Sequence, residues 1–390
     1  MEFAFTPEQL MIEETAARFL AQTCDSHAVR RAMDSAEGYD PQVWQRIGEE
    51  LYWPALMIPE AFGGLGLGFV ELAILLEQSG RHLLGSPFFA TAALATPALM
   101  LSSNPAVQAD WLGAIAAGAT RATLAFASRP GWDADSVQAV ATPDAGGYRL
   151  NGTYAQVLDG AQAQLLIVAA RLPASTGEHG ISLFALPAET LGIKRTALPT
   201  LDQTRRLARI ELHDVQLDSR HLLVEVGQGW PLLRDTLHIG AIALAAEQTG
   251  GAQQSLDLTL AYIAERQQFG RAIASFQAIK HRCADMMLAV ECARSAAYYA
   301  ACVAQERLAA DGDPQVAAAL GDAAATAQIH ASEAFFHCAA ESIQLHGGVG
   351  FTWEYDPHLY FKRARASEQL FGHPTLHRER LAARIFGEQP

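Results

Sequence analysis

The strongest constraint on the fold is a change of texture along the chain. From about Thr120 to Val226, short apolar runs such as "AQLLIVAARL" and "ISLFALPA" alternate with turn clusters such as "PDAGG" and "NG". On both sides the sequence is alanine-rich and carries helix signals. Parallel strands need long crossovers, usually helices, and the middle stretch has room for none. The expected architecture is therefore α+β. It comprises an N-terminal helical domain (1–120), a middle β-domain (121–226) and a C-terminal helical-bundle domain (227–390).

Local signals support that order. Thr6-Pro7-Glu8-Gln9 is a capping box with proline at the first helical position, and Asp40-Pro41 repeats the cap-then-proline pattern. Asp313-Pro314 opens an alanine-rich helix predicted to reach His346 and stop at Gly347-Gly348. "ARIELHDVQL" (208–217) reads as a half-buried strand with a bulge. "PEAFGGLGLG" (59–68) lacks dinucleotide-binding spacing and follows no strand, so it reads as a loop that lets helices pack closely.

Bulk properties remove several function classes. The net charge of −14 opposes nucleic acid, whose phosphates it would repel. A polyanionic ligand must then be held by local cations, and only Lys194, Lys280 and Lys362 of the basic residues are lysine. Arginine, which forks onto phosphate, carries that task, although genome composition also accounts for the bias. Cys24, Cys283, Cys292, Cys302 and Cys338 have no zinc-like spacing, so no metal site is expected. No apolar run is long enough to span a bilayer, and Met1-Glu2-Phe3 carries no positive n-region. These features predict a cytoplasmic protein without a membrane partner.

Two stretches concentrate chemistry. "ERQQFGRAIASFQ" (265–277) places Arg266, Arg271, Gln267, Gln268 and Gln277 where a long helical pattern closes. Phe269-Gly270 breaks the helix just after Arg266, so its guanidinium projects from the end of a rigid element; an ion pair on a solvated face is the plain alternative. "QLHGGVGFTWEYDPHLYFKRAR" (344–365) sets Gln344 beside Gly347-Gly348, where a ligand could approach the bare backbone. His346, in the same turn, reads as a packing or capping residue.

Together these elements resemble the acyl-CoA dehydrogenase family over nearly the whole chain. The resemblance rests on Arg266, Phe269-Gly270, Phe276-Gln277, Ala284-Asp285-Met286 and Gln344 through Gly350, in that order, with "IPEAFGGLGLG" near the front. It implies an acyl-CoA dehydrogenase-like fold with a C-terminal four-helix bundle, FAD as cofactor, an acyl-CoA substrate and an electron-accepting flavoprotein. The implied reaction is oxidation of the Cα–Cβ bond to a trans double bond. A carboxylate takes the α-proton, a weak acid that needs a strong local base, while the flavin supplies the oxidising power. By the resemblance, Arg266, Phe269, Gln277, Gln344, Gly347 and Gly348 hold the pyrophosphate–adenosine half of an FAD bound chiefly to an adjacent subunit.

The chain departs from the family pattern elsewhere. Where the family has a run like T-E-P-G-A-G-S-D against the flavin ring, this chain has "SRPGWDAD" (128–135). It keeps Pro130, Gly131 and Asp135 but has Arg129 and Trp132. Where the family has W-I-T-N, this chain has Gln156-Val157-Leu158-Asp159, losing an aromatic and a hydroxyl. The loop like Y-E-G-T, with the usual base, corresponds to Phe371-Gly372-His373-Pro374, and Glu368 lies just before it. Some members carry the base on the first helix of the C-terminal domain. There Glu247 is the one carboxylate in an apolar stretch, and a buried Glu must be paired, protonated or functional. It precedes Arg266 by about 28 Å of helix, spacing that suits two different flavins. The related base falls near Gly240, about two turns earlier on the same face. Glu247 and Glu368 are thus the candidate bases, each with a structural role as the alternative. Two assemblies remain open: a self-sufficient homotetramer, or an α2β2 heterotetramer in which this chain completes a catalytic sibling's flavin site. An acyl-CoA oxidase is a third reading, weakened by the lack of the extra C-terminal domain many of them have.

Overall fold

The computed structural model describes residues 5–129, 131–309 and 314–387. Met1-Glu2-Phe3, Pro130 and Asp313, each used in the sequence reading, lie outside them. The chain runs helical, then β, then helical. The first region holds α1 (Pro7–Thr23), α2 (Ser26–Asp34), α3 (Pro41–Glu49), α4 (Phe69–Arg81), α5 (Phe88–Ala90), α6 (Thr96–Met100) and α7 (Pro105–Ala116). Thr6 closes its capping box on Gln9 in both directions, and Asp40 accepts from the Gln42 amide. Residues 59–68 lead into α4. They fold back on the preceding turn, with the Leu65, Gly66 and Leu67 amides donating to the carbonyls of Ala55, Ile58 and Leu56.

The middle region holds β1 (Ala122–Ala125), β2 (Val140–Asp144), β3 (Gly147–Leu158), β4 (Leu165–Arg171), β5 (Ile181–Pro187), β6 (Ile193–Leu198) and β7 (Leu207–Asp218). They form one sheet in the order β1-β4-β2-β3-β7-β6, with β5 paired to β4. The sheet is mainly antiparallel, yet β1 runs parallel to β4. The hairpin β2–β3 makes that crossover where a helix usually would. The expected bulge in β7 falls at Asp214, whose backbone is left-handed and whose amide donates to the Asn151 side chain.

The last region holds α8 (Trp230–Glu265), a short hairpin of β8 (Gln267–Gln268) and β9 (Arg271–Ala272), α9 (Gln277–Ala309), α10 (Pro314–His346), α11 (Pro357–Ser367) and α12 (Pro374–Phe386). By contact the chain gathers into two compact units. The first comprises Met1–Arg31, Phe69–Leu84 and Ala241–Pro390; the second comprises Ala32–Gly68 and Gly85–Gly240. In the first, α4 crosses α8 with the backbones touching. A Cβ on Gly80 would fall on the carbonyl oxygen of Glu247, and one on Gly250 on that of Glu77. Around this crossing Arg294 bridges Glu77 and Gln253, and Arg81 pairs with Asp257 at 2.7 Å. Burial raises the Glu77 carboxyl above its ordinary range, an effect that the Arg294 guanidinium opposes. Among the described residues no helix is long and apolar enough to cross a membrane.

Candidate functional site

At the end of α8 the chain turns through the β8–β9 hairpin. Its two turn residues, Phe269 and Gly270, have φ of 55° and 76°. Positive φ at both positions is the type I′ geometry that suits a two-residue hairpin. Glycine adopts it freely, whereas an L-residue in this region is disfavoured by roughly 1–2 kcal/mol. Phe269 is also 91% exposed, so the chain meets a steric cost and leaves a large apolar ring in water. Beneath it, Phe276 meets the ring edge-on, and the Arg271 guanidinium covers Phe276 at 4.1 Å.

Arg266 immediately precedes this hairpin. Its amide donates to Tyr262, and its carbonyl accepts from Ile273. Its side chain is exposed and pairs with no carboxylate among the described residues. Gln277, also exposed, is the first residue of α9.

The second stretch closes α10. Gln344 is exposed, and Gly347 turns left-handed at φ 66° to end the helix. A Cβ on Gly347 or Gly348 would meet nothing, so this backbone faces open space. Between the two stretches stands a stack of rings. His346 lies against Tyr262 with centroids 4.3 Å apart and planes 22° from parallel, and Tyr355 meets both edge-on. The His346 Nδ1 donates to the Ser342 carbonyl at 2.7 Å, and burial lowers its pKa. The end of α8 and the turn after α10 are thereby brought together, although 78 residues separate Arg266 from Gln344 (344 − 266).

Both candidate bases are held by arginines of α11. Glu247, 5% exposed, pairs through Oε1 with Nη1 of Arg363 at 2.6 Å, and Arg363 is only 2% exposed. The neighbouring Gln248 donates to Ser367 Oγ at the end of the same helix. Glu368, also buried, meets Arg365 and, at 3.3 Å, Nε2 of His373. In the loop that follows, Phe371 is left-handed and buried at 4%. His377 is buried behind that loop, and desolvation, reinforced by Arg380, pushes it down to about 4.

The ring-side stretches lie in the other unit. Val157 and Leu158 are buried in the core of the sheet, and the Leu158 carbonyl accepts from Thr123 Oγ1. Gln156 is exposed and adopts left-handed backbone where β3 bulges against β7, and Asp159 does the same in the turn just after the strand. In the 128–135 loop, Arg129 donates to its own loop at the Asp135 carbonyl, and Trp132 packs on Phe126. Arg171, at the end of β4, donates to the carbonyls of Ala134, Val137, Ser175 and Gly177 and so fastens this loop from below. Arg171, Arg363, Tyr262 and the stacking of His346 escaped the sequence reading, because each acts through a partner distant in sequence.

Family comparison identifies the fold. Residues 6–119 match the model for the acyl-CoA dehydrogenase N-terminal domain, and residues 227–386 match that for the C-terminal domain. The acyl-CoA dehydrogenase IpdE2 of Mycobacterium tuberculosis is 36% identical over 379 residues, covering 97% of this chain and 98% of that one. A chain of the ChsE4–ChsE5 complex from the same organism superposes with a TM-score of 0.88 at 26% identity, covering all of both chains. Butyryl-CoA dehydrogenase from Megasphaera elsdenii shares the fold, with a TM-score of 0.90 at 24% identity over 99% of this chain and 100% of that one. The chain belongs to the acyl-CoA dehydrogenase family, whose members are oxidoreductases acting on acyl-CoA thioesters.

Proposed function

We propose that this chain is a subunit of a tetrameric, FAD-dependent acyl-CoA dehydrogenase that converts an acyl-CoA thioester to its trans-2-enoyl-CoA. The observation that carries this reading is the exposed pair of elements at the ends of α8 and α10. The donor set there fits a dinucleotide diphosphate: a guanidinium with no carboxylate partner among the described residues, two exposed carboxamides and an open glycine turn. Arg266 would neutralise the diphosphate, Gln277 and Gln344 would hydrogen-bond to it or to the adenosine, and Gly347-Gly348 would let it approach the backbone. Phe269 would lie against the adenosine. When bound, FAD supplies the oxidant that accepts the β-hydrogen. Glu247 is the proposed acceptor of the α-proton, with Arg363 fixing the direction of its carboxylate; Glu368 is the substitute. Electrons would then pass to an electron-accepting flavoprotein in the cytoplasm.

A second reading is favoured by two specific observations. Val157 and Leu158 belong to the β-core instead of offering polar contacts to a flavin ring, and Glu247 is locked in a buried ion pair. On this reading the chain is a non-catalytic partner that lends its Arg266 clamp to a sibling's flavin in an α2β2 complex. The ChsE4–ChsE5 structure shows that a chain of this fold occurs in a two-component complex.

Visible absorbance and light scattering on the purified chain separate the two. A yellow homotetramer that dehydrogenates acyl-CoA supports the first reading and removes the second. A colourless chain that gains about half an equivalent of FAD per chain on co-expression with a sibling dehydrogenase does the reverse, since two flavins are then shared by four chains. In either assembly Arg266→Ala is expected to lower FAD occupancy severalfold, with unfolding nearly unchanged because the residue is exposed. Unchanged occupancy would remove the clamp itself.

A further inference from the structure

The clamp's two halves sit on different helices, and something must set the spacing between them. A diphosphate held jointly by a guanidinium and a backbone turn is sensitive to that spacing, because charge-assisted hydrogen bonds need their donors at fixed distance and angle. Neither half contains residues that reach the other through polar contacts among those described. The ring stack does reach across.

Tyr262 lies one helical turn before Arg266, and its carbonyl accepts the Arg266 amide at 2.9 Å. Its ring therefore moves with the turn that launches Arg266. His346 is the last residue of α10 and is bonded directly to Gly347, where the chain turns left-handed. Its own ring cannot swing freely: Nδ1 donates back to the Ser342 carbonyl, one turn down the same helix. A Cβ on Gly350 would press on Ile343 and on the Cβ of His346, so the turn that follows folds tightly back over this residue. Tyr355 closes the third side, and the adjacent Asp356 is anchored by Arg30 at 2.6 Å and by Ser26 at 2.7 Å. The stack is thus fixed at every end, and a shift of α8 against α10 would have to break it.

We propose that Tyr262 and His346 are positioning residues of the cofactor clamp: their stacked rings set the distance between the Arg266 guanidinium and the Gly347-Gly348 backbone. In this role the rings act through the backbone they position and not as donors to the diphosphate. Burial favours the neutral imidazole, which keeps the stack uncharged near neutral pH. This deepens the reading of Arg266 and Gly347-Gly348 as an FAD clamp and rests on it.

The test uses the full chain in its native assembly, produced alone or with its sibling as the assembly requires. Three variants are compared for FAD dissociation, by the fluorescence of released flavin, and for thermal unfolding of the apoprotein. Tyr262→Leu, which keeps apolar bulk and removes the ring, is expected to weaken FAD binding at least tenfold while the apoprotein unfolds within a few degrees of wild type. Tyr262→Phe, which keeps the stack, should stay within about twofold of wild type. Arg266→Ala is the reference for loss of the clamp. Wild-type affinity in Tyr262→Leu, with loss in Arg266→Ala, would overturn the positioning role and leave the clamp intact. Wild-type affinity in both would overturn the clamp as well. If Tyr262→Leu does not fold, the pair His346→Phe and His346→Leu decides: retention in the first and loss in the second supports the stack, and equal behaviour overturns it.

Discussion

The clamp stretches and the ring-side stretches are treated oppositely by the same chain. At the ends of α8 and α10, polar and aromatic groups face water with few internal partners, and Phe269 is held in a backbone region that a phenylalanine resists. Along β3 and in the 128–135 loop, most of the corresponding family positions are consumed internally: Val157 and Leu158 are buried, Arg129 bonds its own loop and Trp132 packs on Phe126, while Gln156 stays exposed. Glu247 stands between the two: its carboxylate is paired with Arg363, and it is also the proposed acceptor of the α-proton. The contrast teaches a way to read function from cost. A group left exposed and strained is retained for something outside the fold, whereas a group satisfied within the fold is explained by stability alone.

The largest effect that bears on this contrast is expected at the buried pair. Arg363→Ala would strand Glu247 without its guanidinium at a site almost closed to water, and should destabilise the chain by about 3–5 kcal/mol. Urea unfolding measures it, and the double variant Arg363→Met/Glu247→Leu should recover most of the loss. A single-variant loss below about 1 kcal/mol would mean that the pair contributes little to the fold, and the internal-satisfaction account of Glu247 would fail.

Acid should expose the same inward packing. His377 titrates at about 4 in the folded chain, below its ordinary value, so the unfolded chain takes up the proton first. Stability is therefore full above about pH 6.5 and is lost as pH falls toward 4, by on the order of 2 kcal/mol. His377→Gln should flatten this limb in urea midpoints taken across that window. An unchanged slope would place the acid sensitivity elsewhere.

The smallest effect on stability is expected at the clamp, and its sign is the informative part. Phe269→Gly relieves the left-handed strain and should stabilise the free chain by up to about 1 kcal/mol, while FAD retention falls. Stabilisation without any change in retention would show that the exposed ring serves another purpose.

Much of the fold was legible in the sequence because helix and strand leave different periods and punctuation. Thr6 and Asp40 announced their helices, and Gly347 announced the end of α10, through contacts only a few residues long. Arg266, Phe269 and Gln344 were singled out by the order of their motifs, and all three are exposed in the structure. What stayed hidden depends on long-range pairing. Arg363 meets Glu247 across 116 residues, and nothing in "FKRAR" tells which arginine turns inward. The glycine run at 59–68 was legible as a loop, but composition does not reveal which backbone a loop closes upon. The β1–β4 parallel pair was equally invisible, since a hairpin made the crossover that usually requires a helix.

The bare crossing of α4 and α8 limits how such a scaffold can change its chemistry. Gly80 receives the Glu247 carbonyl and Gly250 receives the Glu77 carbonyl, so each helix is notched where the other presses. Two notches three residues from two carbonyls act as a ratchet: α8 cannot slide along α4 by part of a turn without driving a backbone oxygen into a Cα. A carboxylate can then migrate along α8 only by substitution, in jumps that return to the same face. On the proposed reading of Glu247 as the base, its two-turn offset from the position near Gly240 would be a jump of that kind.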